Sequence, residues 1–156
     1  MNWRQRIEPV IRPFMHAFWR LSRGTTLGVR AIVVREDGQV ILVRHTYVGG
    51  WHLPGGGVEK GESARDALAH ELRDEAGVVL AGDAPVQGVY ANHRKFRGDH
   101  VVVCIVRNWS SCTPDADGEI AETGWFDPAD PPKGTTPATR GRLAEYLGQA
   151  PVVDVW

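Results

Sequence analysis

The sequence has little cysteine: two in 156 residues, Cys104 inside VVVCIV and Cys112 in SSCTPD. Their spacing is not C-x-x-C, and two are too few for a secreted disulfide framework, so a stapled mini-domain is excluded and a reducing compartment, the cytoplasm, is expected. A long apolar run is also missing. Nothing approaches the roughly 18–20 residues that a spanning helix needs, and the first residues lack the apolar core and small-residue cleavage site of a secretory leader. No membrane span is therefore expected. Charge of one sign is absent as well, since 18 basic residues face 19 acidic ones for a formal net charge of -1. Without an overall positive field DNA is not an expected partner, and any polyanion would have to be met by a local patch. There is no internal repeat and no low-complexity tract, which sets aside solenoids and tails. What remains is the length of one ordinary domain, able to bury a core without staples.

The chain begins with an amphipathic stretch, residues 1–24, in which Trp3, Ile7, Val10, Ile11, Phe14, Phe18 and Leu21 recur at helical spacing among arginines. Pro9 and Pro13 bend or divide such a helix. Its aromatic side suits packing on the domain or on a second subunit, which makes a homodimer an option, and a membrane-surface anchor is the minor reading. From residue 25 to 156 the pattern is that of a folded domain. LGVRAIVV and QVILVRH are β-branched runs separated by REDG, a hairpin pattern with Asp37 and Gly38 at the turn. GGWHLPGGGVEKGE then carries six glycines and a proline in fourteen residues and must be a loop. Ser63 is placed as an N-cap with Asp66 three residues on, and Gly77 as a C-terminal stop, so a helix is expected from about Ala64 to Ala76. Strands are expected at APVQGVYAN, HVVVCIVRNW and TGWFD, and a last helix at ATRGRLAEYLG, ended by Gly148. Interleaved strands and helices place the fold in the α/β (α+β) class with a mixed sheet.

The helix from Ala64 to Ala76 carries the chemistry. Leu68, Leu72 and Ala76 share one arc, and Glu71, Asp74 and Glu75 lie on the adjoining arc with no basic residue one turn away from Glu71. Like charges at that spacing cost about 0.2–0.5 kcal/mol per pair. Two readings follow from the residues alone: a wet acidic face, or a site for a hard divalent cation such as Mg²⁺, which prefers oxygen ligands and shares its shell with phosphates. The adjacent glycines allow backbone to approach an ion or a phosphate closely.

Gly56, then five residues, Glu62, then seven, then HELRDEAGV resembles the Nudix box, G-x5-E-x7-R-E-U-x-E-E-x-G-U with U aliphatic. Gly56, Glu62, Glu71, Leu72, Glu75, Gly77 and Val78 match it; His70 stands where the family has Arg, and Asp74 where it has Glu. In element order the likeness runs from about Val29 to Phe126. The resemblance implies a mixed β-sheet sandwiched between α-helices and a hydrolase that cleaves phosphoric anhydrides with Mg²⁺, Mn²⁺ being a possible substitute. It implies Glu71 as general base or metal ligand, Asp74 and Glu75 as metal ligands, and the Gly55 carbonyl as a backbone ligand. It also implies a further metal carboxylate from Glu119, with Glu122 as competitor, and a phosphate-binding Arg44. Asp74 is one methylene short of the family's Glu. His70 lacks a guanidinium's charge and forked geometry, and is left to bond Glu62, to lie between Asp66 and Asp74, or to stand as a surface histidine.

Outside the box, the turn NHRKFRGDH offers Arg94, Lys95 and Arg97 as phosphate contacts or as a solvated basic turn. Trp51 and Tyr90 can stack on a base or pack in the core. TPDADGEIAETG is not a calcium loop, because Thr113 and Gly124 fall where Asp and a bidentate Glu are needed. The leading expectation is a metal-dependent pyrophosphohydrolase acting on a small nucleotide, a nucleoside diphosphate linked to another moiety. Removal of 5′ diphosphate from RNA is one alternative, and a nucleotide-sensing module that has lost hydrolysis is another.

Overall fold

Alternate residues of a strand face opposite sides of a sheet, and the strand Thr26–Val33 (β1) is apolar on both. Val29, Ala31 and Val33 pack with Ala67, Leu68 and Leu72 of the helix Ala64–Ala76 (α1), while Ile32 belongs with Leu143 of the helix Pro137–Tyr146 (α2) to a second cluster on the other side. The strand Asp99–Val106 (β5) divides in the same way, Cys104 and Val106 toward the first cluster and Val101 and Val103 toward the second. The sheet is thus a central layer between two helices, as expected. It is a mixed sheet: β1 runs parallel to β5, and β5 runs antiparallel to Val86–Ala91 (β4). The strand Val40–His45 (β2) pairs antiparallel with Ile120–Phe126 (β7), and Val78–Leu80 (β3) with Trp109–Ser111 (β6). These are the features of a computed structural model that describes Phe18, residues 24–115 and residues 118–156. Apart from Phe18 and Gly24, the N-terminal amphipathic segment expected over residues 1–24 lies outside the described residues.

The expected hairpin between β1 and β2 needs correction. The turn forms at Asp37 and Gly38, where Gly38 has φ 83° and donates to the Arg35 carbonyl at 2.9 Å. Beyond the facing pair Val34 and Val40, however, the strands part into different sheets. The cause is the glycine-rich loop, which takes edge positions on both strands. His52 exchanges both backbone hydrogen bonds with Val43 of β2, and farther along Ala31 donates to Pro54, Val29 to Gly56, and Val58 to Leu27 of β1. Gly55 makes this wedge possible. At φ 139°, a Cβ there would lie 2.1 Å from the Val29 carbonyl oxygen, a distance no side chain tolerates.

The boundaries of α1 match its caps. The Ser63 hydroxyl accepts from the Asp66 amide and donates to the Asp66 carboxylate at 2.6 Å, and Gly77 closes the helix at φ 63° with its N–H on the Arg73 carbonyl. Two strand expectations were too coarse. HVVVCIVRNW is divided at Arg107 and Asn108 into β5 and β6, and β3 is a three-residue strand that apolar patterning did not isolate.

Candidate active site

Because α1 packs on β1 beside the edge that the glycine-rich loop takes, Glu71 and Glu75 of the acidic arc face Gly56 and Gly55 of the loop rather than open water. Glu75 is the most enclosed of the acids, 8% exposed. One of its oxygens accepts the Gly55 N–H at 2.9 Å; the other lies 3.7 Å from Nδ1 of His45. Glu71, half-buried, presses on Gly56 so closely that a Cβ there would come within 2.0 Å of its Oε1. Glycine at 56 therefore does for Glu71 what glycine at 55 does for the strand: it removes a side chain from where another group must sit. Asp74 lies 2.9 Å from the His70 ring nitrogen across one helical turn. Glu71, Asp74, Glu75 and Glu119 together line one cavity of ≈ 220 Å³, which Asp115 also borders.

The electrostatics of this cavity are unbalanced. Burial pushes the Glu75 carboxyl up to about 7, against the lowering pull of the Gly55 N–H and of Arg30. Glu71 is raised for the same reason. His45, at the end of β2, is held down at about 4 by burial and by the neighbouring Arg30 and His52. It is therefore neutral near pH 7, its contact with Glu75 is not an ion pair, and its buried Nδ1 has no hydrogen-bond partner. A carboxyl destabilised as an anion and a neutral imidazole beside it form a site that gains from a cation. Among the described residues, no three His, Cys, Asp or Glu side chains are gathered tightly enough to enclose an ion by themselves. Magnesium does not require that, because it keeps several waters and is held by one or two carboxylates together with substrate phosphates. Hard oxygen donors, an under-compensated Glu75 and small glycines beside them fit such an ion.

Arg30 is a residue of this candidate site that sequence reasoning passed over. Its guanidinium donates to the carbonyls of Leu53, at 3.2 Å, and Gly55, and it is the cation that opposes the burial of both Glu71 and Glu75. The signal was present: a lone charge in the middle of the apolar run LGVRAIVV. His45 and Asp115 were also missed; His45 carried a weaker signal, a polar residue closing an apolar strand.

A second cavity, of ≈ 480 Å³, adjoins the first. Gly56 and His45 line it while touching Glu71 and Glu75 respectively, so they form the shared wall. Arg30, Tyr47, His52, Lys95 and Asn92 also line it, with apolar surface from Leu27, Leu53, Val101 and Trp156. Of the basic turn, Lys95 reaches this lining, while Arg94 and Arg97 are exposed and are not among its residues. Arg44 is not among them either. It pairs with Glu122 at 2.7 Å, its partner across the β2–β7 ladder, and lies over the Trp51 ring at 5.6 Å. That pairing separates the two candidate acids: Glu119 faces the acidic cavity, and Glu122 is taken up by Arg44. Trp51 and Tyr90 are core residues, the first edge-on to Phe126 at 4.9 Å and the second donating its hydroxyl to Glu145 at 2.7 Å. His70 is exposed and bonds neither Glu62 nor Glu71; its partner is Asp74.

The family model for the NUDIX domain matches residues 24–147. A Bacillus subtilis protein named "Putative 8-oxo-dGTP diphosphatase" is 31% identical over 131 residues, covering 83% of this chain and 85% of that one. An RNA pyrophosphohydrolase of Halorhodospira halophila is 38% identical over 76 residues, 49% of this chain and 41% of that one. Among solved structures, the MutT NUDIX hydrolase from Burkholderia pseudomallei superposes with a TM-score of 0.66 at 27% identity, covering 76% of this chain and 95% of its own.

Proposed function

This chain belongs to the Nudix hydrolase family, and from that premise we propose that it is a Mg²⁺-dependent pyrophosphohydrolase of small nucleotides, cleaving a nucleoside diphosphate linked to another moiety. Members of the family are hydrolases of phosphoric anhydrides and generally use divalent metals, usually Mg²⁺. The observation that carries the finer reading is the shared wall: an acidic cavity with too little positive charge lies against a larger one that offers Arg30, Lys95 and apolar surface. A diphosphate reaching from the second cavity past Gly56 and His45 into the first would meet both kinds of charge it needs.

In this reading Glu75, Glu71, Asp74 and Glu119 would hold the ion; the Gly55 carbonyl, expected as a backbone donor, instead accepts from Arg30. Bound there, a divalent ion supplies charge neutralisation on the phosphate oxygens and acidifies a water. The chain's own residues do the rest. Glu71, which faces the acidic cavity beside Gly56, would take the proton of the attacking water. Arg30 holds the Leu53 and Gly55 carbonyls and so fixes the loop on which Gly56 admits Glu71. A cavity of ≈ 480 Å³ is in the range that encloses a single small ligand, which favours a small nucleotide over a polymer. The names of the relatives suggest 8-oxo-dGTP as a first substrate to try and RNA as the contrasting one.

The reading is tested by incubating the protein with 8-oxo-dGTP, dGTP, nucleotide sugars, dinucleoside polyphosphates and capped RNA, each with Mg²⁺ or Mn²⁺, and identifying the products. Metal-dependent release of a nucleoside monophosphate from one or more small nucleotides is expected. Cleavage of none, or of RNA alone, overturns the reading.

A further inference from the structure

The residues beyond the family match, which ends at position 147, are not a loose appendage. Asp154 and Trp156 extend the sheet past β4: Ala91 donates to the Asp154 carbonyl at 2.8 Å, and Trp156 donates back to Ala91 at 3.1 Å. A second anchor lies beneath them. Arg142 and Glu145 of α2 are 4% and 8% exposed and bond each other through two nitrogens, at 3.0 and 2.6 Å. A buried ion pair is tolerated only when its remaining valences are also satisfied. Here the tail satisfies them: Val153 donates to Glu145 at 3.2 Å, and Arg142 donates to the Val155 carbonyl at 3.3 Å. Were the tail to leave, both charged groups would lose a partner, so the ion pair fixes where the tail lies.

That position matters because the Trp156 indole reaches the larger cavity. Its ring meets Tyr90 edge-on at 5.9 Å and lies 5.6 Å from the Arg142 guanidinium, and it lines the cavity together with Val101 and Asn92. We infer that Trp156, held in place by the segment 153–155, forms part of the wall of the substrate cavity and is a specificity-determining residue contacting the planar heteroaromatic base of the substrate. The inference rests on the functional reading above, since it needs that cavity to hold a nucleoside. The chemistry is that of an aromatic surface against a base, with the Arg142–Glu145 pair as the latch that holds the surface in place.

The test is steady-state kinetics of the full chain on whichever small nucleotide of that panel it cleaves fastest, with inorganic tripolyphosphate as an inhibitor that has phosphates but no base. Trp156→Ala is expected to raise KM about tenfold with kcat within about twofold, and to leave inhibition by tripolyphosphate unchanged; Trp156→Phe is expected to restore most of the loss. A wall that serves only the fold gives the opposite pattern, with kcat and tripolyphosphate inhibition falling together. Unchanged KM in Trp156→Ala, or equal weakening of tripolyphosphate, overturns the inference while leaving the enzyme reading intact. Absence of turnover by the unaltered protein overturns both.

Discussion

Two glutamates on two helices are equally hidden, and differ in everything that surrounds them. Glu75 on α1 and Glu145 on α2 are each 8% exposed. Glu145 accepts two bonds from Arg142, one from the Tyr90 hydroxyl and one from the Val153 amide. Glu75 has one backbone N–H, a neutral imidazole at 3.7 Å and four further acids, Glu71, Asp74, Asp115 and Glu119, in the same cavity. Burial alone therefore does not mark a working carboxylate. What marks it is burial without a matching cation, because an anion desolvated without compensation is costly to the fold; in the proposed function a metal and its phosphate would supply the missing charge.

Substitutions at the two positions should then act in opposite directions. The largest effect is expected for Glu75→Gln: turnover falls by about a thousandfold or more, yet the metal-free variant gains stability at pH 8, by up to about 3 kcal/mol. The sign follows from linkage. The native carboxyl titrates near 7 against an ordinary 4.5, so the native state holds the extra proton between those values, and metal-free stability falls as pH rises through them. The advantage of Gln should therefore fade as pH is lowered from 7 to 4.5. His45, held at about 4 against 6.5, works the other way and costs stability as pH falls from 6.5 to 4. Glu75→Gln should expose that acid-side loss, and thermal melting across this range reads it.

At the other helix, Arg142→Met leaves Glu145 buried without its cation and is expected to cost about 3–5 kcal/mol by denaturant unfolding. A smaller loss, or a gain, would erase the contrast between the helices. Gly56→Ala sharpens the active side of the comparison, because its methyl would meet Glu71 Oε1 at 2.0 Å and the flexible carboxylate must move. Roughly a hundredfold loss of kcat with little change in unfolding is expected. The smallest effect is assigned to His70→Ala, which removes an exposed partner of Asp74 and should change stability by less than about 0.5 kcal/mol.

The comparison also explains what could be read from the residues in advance. Helix α1 was legible to its ends because Ser63, Asp66 and Gly77 act within a few residues of one another, and the acidic arc followed from helical spacing. The loop was legible as a loop, since no regular element accommodates so many glycines. Its destination was not. That it enters between β1 and β2 depends on Gly55 meeting Val29, a contact across 26 residues of chain (55 minus 29) that no local pattern encodes. Arg30 is the same case: a charge within an apolar strand is visible, but its partners at Leu53 and Gly55 arise only when the loop arrives. Arg44 shows the converse. Its position on β2 was legible, while the Glu122 that pairs with it came from strand register across the ladder.

The most direct test of the uncompensated cavity is a titration of the protein with Mn²⁺ at pH 6, 7 and 8, followed by electron paramagnetic resonance of the free ion, for the unaltered chain and for Glu75→Gln. The unaltered chain is expected to bind, with affinity falling by up to about tenfold per pH unit below 7 as the proton on Glu75 competes, and the variant to bind at least about tenfold more weakly with little dependence on pH. Equal affinity in the two proteins, or no binding to either at pH 8, would contradict it.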